Sequence, residues 1–148
     1  METETVWEGR YFVYGFWARE GRSPAVRETA EGLGIEVEEA RALYAELNGR
    51  HALMLMPGTD VIRMANPFSG VETSFKVYAN NKTYFANCAW DSLGIPAALH
   101  VDAKIDTACA QSGEPIRLRV TDQQVQDSDA LVHFLIPFQN WYDDLAFT

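Results

Sequence analysis

The sequence predicts an α+β protein, with a helical first part over residues 1–68 and a mixed or antiparallel β-sheet domain over residues 69–148. Three observations lead there. Apolar residues in the first part recur at helical spacing, and glycine, proline and asparagine breaks divide them into separate helices. After residue 70 the period changes to strict alternation, the mark of half-buried strands. Between the strands, the stretch 87–96 is apolar and helix-like, and it carries Cys88 and, three residues on, Asp91.

Taken in order, residues 7–18 hold Trp7, Tyr11, Phe12, Tyr14, Phe16 and Trp17, which predicts a first helix with a wide buried stripe. Gly21-Arg22-Ser23-Pro24 is a break and a new start, with Ser23 as N-cap and Pro24 at the first helical position. A short helix is expected over 25–31, then a tight turn at Gly32-Leu33-Gly34-Ile35. Val37, Ala40, Leu43, Tyr44 and Leu47 predict a further helix over 36–47, with Asn48-Gly49 closing it in the left-handed conformation. Residues 51–56 and 61–64 flank the turn Pro57-Gly58-Thr59-Asp60 and predict a hairpin. Helix, helix-turn-helix and hairpin make a winged-helix-like module. Met54, Met56 and Met64 read as packing filler, because methionine adapts to irregular gaps.

Residues 65–70 read as a short linker of turn formers. Strands are expected over 74–79 and 83–86 around an Asn80-Asn81 turn, since asparagine tolerates positive φ. The Cys88 segment follows, with Pro96 bending or ending its helix. Val101, Ala103, Ile105 and Thr107 alternate with polar residues, as do Ile116, Leu118 and Val120, which predicts a second hairpin around residues 111–114. Residues 121–129 are expected as a polar loop. The nearly continuous apolar run 131–136 predicts an inner strand covered on both faces, and 141–148 a turn entering another element.

The chemistry-bearing residues are few. On a helix, residues three apart share a face, so the Cys88 thiol and the Asp91 carboxyl are expected to look into one space. At a helix start the unpaired N–H groups favour an anion, hence a reactive thiolate. A free cysteine is also among the most buried residue types, and the stretch alone equally admits an inert, structural Cys88. His51, His100 and His133 show no metal-ligand spacing, and there is no glycine-rich phosphate loop, nucleophile-elbow serine or Cys-x-x-Cys pair.

Composition narrows the partners. The net charge is −9, divided between residues 1–68, with 7 basic and 11 acidic residues, and the remainder, with 5 and 10. Neither half offers the positive field that nucleic acid requires, and the second helix of the turn carries Glu36, Glu38, Glu39 and Glu46 against Arg41. No apolar run approaches the ~20 residues that span a bilayer. The acidic start and the two cysteines fit a reducing, cytoplasmic setting, with a Cys88–Cys109 bridge left open.

Cys88-Ala89-Trp90-Asp91-Ser92-Leu93 followed by Pro96-Ala97 resembles the catalytic segment of the organomercurial (alkylmercury) lyases. Residues 107–116, with Cys109 before a Ser112-Gly113-Glu114-Pro115 turn, are similar to that family's second block, and the acidic front end to its N-terminal domain. The resemblance implies protonolytic cleavage of a carbon–mercury bond to hydrocarbon and Hg(II). Cys88 would be the mercury ligand, Asp91 the proton donor and Cys109 a structural cysteine buried near the strand end. It also implies an organomercury substrate, no resident cofactor, and cellular thiols or a mercuric reductase as Hg(II) acceptor. As the motifs align, the family's second catalytic cysteine would fall beyond Thr148, so an external thiol is expected to serve. A mercury- or metal-binding relative without turnover, or a winged-helix regulator, are the alternatives.

Overall fold

The computed structural model describes residues 3–126 and 128–144. Three helices open the chain: α1 (Thr3–Glu20), α2 (Val26–Leu33) and α3 (Val37–Gly49). Val6, Val13 and Trp17 form the fully buried stripe of α1, and Ala40, Leu43, Tyr44 and Leu47 that of α3. The stripe of α1 is narrower than its aromatic content predicts, because Trp7 and Tyr11 face outward.

Two helix ends differ from the sequence expectation. The N-cap of α2 is Ala25, not Ser23. Glu28 reaches back to the Ala25 N–H at 2.8 Å while Arg22 clamps its carboxylate at 2.6 and 2.8 Å. A carboxylate thus replaces the serine hydroxyl, and the helix starts two residues later. At the end of α3 the helix runs through Gly49, and His51, with φ 56°, takes the left-handed position instead.

A small antiparallel sheet of β1 (Met54–Leu55), β2 (Ile62–Ala65) and β3 (Phe68–Ser69) follows. Met54 pairs with Met64, and Ala65 with Phe68. The expected linker at 65–70 is therefore part of a tight, largely buried hairpin: Ala65, Phe68 and Ser69 are all buried. Phe68 stacks on Trp17 of α1 with ring centroids 5.4 Å apart and lies 5.7 Å from Tyr84. Gly70 closes this turn, its N–H bonded to the Arg63 carbonyl at 2.6 Å. A Cβ there would collide with the Ile62 carbonyl oxygen, a backbone atom that cannot swing aside. Gly70→Ala is expected to destabilise the protein by roughly 1–3 kcal/mol, the usual range for overpacking, seen as a lower urea midpoint at unchanged m-value. An unchanged midpoint would show that β2 yields freely.

The second sheet is antiparallel throughout, in the order β5-β4-β6-β7-β8: β4 (Lys76–Ala79), β5 (Lys82–Phe85), β6 (Ala103–Ala108), β7 (Pro115–Thr121) and β8 (Gln124–Gln126). Asn80 and Asn81 both take positive φ in the first hairpin turn, as expected. Asp122 and Gln123 do the same between β7 and β8, which makes a strand of part of the expected loop 121–129.

Between β5 and β6 runs α4 (Ala89–Leu99). Pro96 does not end it at that point; the proline is buried inside the helix, and His100, with φ 53°, closes it four residues on. Val77, Ile105, Ala103 and Val120 from the sheet, Ile95 from α4, and the stripes of α1 and α3 belong to one hydrophobic cluster. The architecture is α+β.

The run 131–136 is not the expected inner strand. It is irregular, with Leu131 94% exposed. A strand needs a partner, and no strand of either sheet pairs with this run. A single turn of 3₁₀-helix, Phe138–Asn140, follows. Residues 145–148, part of the expected entry into another element, lie outside the described residues.

Candidate functional site

Cys88 is the N-cap of α4, in extended conformation, and its Sγ accepts the Asp91 N–H at 3.5 Å. The sulfur thus occupies the place of the oxygen in an ordinary side-chain cap. Asp91 sits in the first turn, and its Oδ2 accepts from Asn87 Nδ2 at 2.9 Å. The same amide contacts Asn66 Oδ1 at 3.1 Å and the Phe68 carbonyl at 3.2 Å. Asn66 is itself held, because Tyr14 of α1 donates to its carbonyl at 2.9 Å. A chain of polar contacts therefore runs from the first helix through the β2–β3 turn to the Asp91 carboxyl.

Cys88, Asp91, Asn87 and Asn66 border a cavity of about 140 Å³. Its lining includes Arg63, Asn66, Ser69 and Thr73 from the small sheet and the segment after it, and Asn87, Cys88, Trp90 and Asp91 at the start of α4. Phe134 and Trp141 of the irregular segment cover it; Phe134 packs 6.1 Å from Trp90 and 5.4 Å from Trp141. The run that fails to form a strand thus supplies part of the cavity wall.

Burial governs the acid–base character of both groups. It pushes the Asp91 carboxyl above its ordinary value, against hydrogen bonds from Asn87 and the Cys88 thiol that favour the anion. Burial likewise pushes the Cys88 thiol up, outweighing the N–H groups of Asp91 and Trp90 at the helix start. The thiolate expected from the helix terminus alone is therefore corrected: burial outweighs the helix start and favours the neutral thiol at Cys88. Cys109 behaves oppositely. It lies in the β6–β7 turn, partly exposed rather than buried, where the Ser112 hydroxyl and backbone N–H groups lower its pKa.

Cys88 and Asp91 are thus brought together, whereas Cys109 does not line their cavity, and both cysteines are free. Among the described residues no cluster of three or more His, Cys, Asp or Glu side chains is placed to hold a metal ion. Sequence reasoning passed over Asn87, Asn66 and Arg63. The signals were an asparagine directly before the helix cap and one cation inside an otherwise apolar hairpin strand.

Residues 68–148 match the family model MerB, alkylmercury lyase. The chain belongs to the alkylmercury lyase family. Among solved structures, the mercury-bound form of MerB2 is similar to this chain with a TM-score of 0.66 and 23% identity, over 82% of this chain and 60% of that one. The family fold is thus shared by most of the described chain, which spans 60% of that structure's length. No curated protein matches the sequence. Cys88 and Asp91 both fall within the residues matched to the alkylmercury lyase model. No helix among the described residues is long and apolar enough to cross a membrane.

Proposed function

We propose that this chain is an organomercurial lyase homologue that captures an organomercury cation on Cys88 and cleaves its carbon–mercury bond by protonation from Asp91. The observation that carries this reading is one cavity in which a thiol faces a carboxyl that keeps its proton above the usual range. Family membership supports the substrate class.

Mercury is soft, and thiolate is the soft ligand a protein offers. As the S–Hg bond forms, the Cys88 proton passes to solvent and Asp91 keeps its own. Asp91, one helical turn away and held by Asn87, is the group placed to carry a proton. A second thiol, from a small cellular molecule, then binds mercury and pushes electron density toward carbon. Asp91 delivers its proton to that carbon as the C–Hg electron pair moves there, and the second thiol's proton restores the acid. The products are hydrocarbon and Hg(II) held by Cys88 and the external thiol, which passes to cellular thiols or a mercuric reductase. No resident cofactor is required. We read residues 1–68 as a winged-helix-like module that walls the cavity rather than one that reads DNA, residues 69–148 as the lyase-like domain, and the setting as cytoplasmic.

The test is single-turnover release of benzene from a preformed phenylmercury adduct in excess thiol. Asp91→Asn is expected to form the adduct yet release benzene ~10²–10⁴-fold more slowly, the usual worth of a general acid. Equal release by both proteins would remove Asp91 from the reaction. The pH sign follows from burial. The folded-state pKa of Asp91 is raised above its ordinary 3.8, so the proton is fully present below that value and lost as pH rises through the folded one. Release by wild type therefore falls over that window with rising pH, and the Asn variant lacks this limb. Capture without release by wild type would instead favour the mercury-binding relative without turnover.

A further inference from the structure

The cavity lining holds a second ionisable group, which the proposed reaction does not use. Arg63 of β2 is the one basic residue among its lining residues, as Asp91 is the one acidic residue. Arg63 Nη1 meets only the Met56 thioether, at 3.9 Å, and its Nε is buried with no hydrogen-bond partner. A thioether is a weak acceptor, and a guanidinium is always charged. In a chain with 21 acidic and 12 basic residues, Arg22, Arg41 and Arg50 each have a carboxylate partner, whereas Arg63 has none among the described residues. Asp91 does not serve as that partner. The influences on its carboxyl are burial, Asn87 and Cys88, and Arg63 is not among them. Arg63 and Asp91 thus share the cavity lining without forming an ion pair among the described residues.

The remaining space is apolar and aromatic, between Trp90, Phe134 and Trp141. At about 140 Å³ it is close to a cavity that admits benzene. We propose that Arg63 is a specificity residue that pairs a carboxylate brought into the cavity, either on the mercury-bound organic group or on the accepting thiol. The inference rests on the reading of Cys88 as the mercury ligand. Guanidinium and carboxylate form a charge-assisted, often bidentate pair, stronger than a neutral hydrogen bond.

Trp90 and Trp141 supply the readout, since mercury beside an indole quenches its fluorescence. In one arm, apparent affinities of phenylmercury and 4-(hydroxymercuri)benzoate are measured in excess 2-mercaptoethanol. In the other, phenylmercury is presented with 3-mercaptopropionate or 2-mercaptoethanol. Wild type is expected to favour the carboxylate-bearing member on the order of tenfold in at least one arm. Arg63→Gln should bring that ratio to about one, and Arg63→Lys, which keeps the charge, should retain part of it, both with unaltered circular dichroism. The arm that responds identifies the carrier of the carboxylate. A ratio near one in wild type in both arms, or a preference that survives Arg63→Gln, overturns the proposal. Mercury quenching equal in wild type and Cys88→Ser would overturn the Cys88 reading as well, so the two failures are distinct.

Discussion

In Cys88→Ser, release of hydrocarbon from phenylmercury is expected to fall to the rate of thiol and buffer alone. A hydroxyl is a hard, weakly acidic group, so the substitution keeps a helix cap at the start of α4 while removing the soft ligand. The loss is therefore chemical rather than structural, and the thermal midpoint should change little. Intact mass separates the two thiols. Wild type takes two phenylmercury groups, the first quickly at Cys109, whose turn favours the thiolate, and the second more slowly at Cys88, whose burial disfavours it. Cys88→Ser takes one. Hydrocarbon release that persists in the singly labelled variant would mean that the reaction does not pass through Cys88.

Phe68→Ala carries the largest expected effect on stability. Phe68 is 2% exposed and lies between Trp17 of α1 and Tyr84 of β5, with Tyr14 at its edge. Deleting the ring leaves a cavity at the meeting of the helical part and the large sheet, where three aromatic neighbours cannot easily collapse inward. The expected loss is ~3–5 kcal/mol, measured as a lower denaturation midpoint. The Phe68 carbonyl also meets the Asn87 amide, so Asp91 should be less well held and benzene release should fall with stability. A variant that loses less than about 1 kcal/mol would show that the junction repacks, as well-tolerated core substitutions do.

Most of the fold was legible because local signals and tertiary packing agree. The 3.6-residue spacing in α3 places Ala40, Leu43, Tyr44 and Leu47 in the core, although Val37 at its start is exposed, and the alternation in β6 and β7 turns Ala103, Ile105 and Val120 inward. The Asn80-Asn81 turn was legible for the same reason. Where reading failed, a contact the expectation had not weighed outweighed the rule applied. Glu28 and Arg22 moved the start of α2 past Ser23 and Pro24. The hydrophobic run at 131–136 fits a buried strand by composition, but an alternating or continuous pattern does not say whether a sheet edge is free to receive it. At the site, the pairing of Cys88 with Asp91 followed from helical spacing. The upward push on the Cys88 thiol did not, since burial is a property of the folded chain, and even Phe134 and Trp141 of the same cavity lie more than 40 positions away. Arg63 and Asn66 were invisible as site residues because what matters about them is the shared cavity, not their sequence neighbours.

The contacts of Asn87 bear on how such a protein can be recombined. Its amide meets Asp91 within its own segment, but also Asn66 and Phe68 from the β2–β3 turn, and Asn66 is anchored by Tyr14. A chimera joined at residue 68 to a foreign helical module would inherit the thiol, the acid and Asn87 yet lose Asn66 and Tyr14, which hold Asn87 from the other side. The cysteine and aspartate are therefore not a transplantable cassette; the portable unit begins at the first helix.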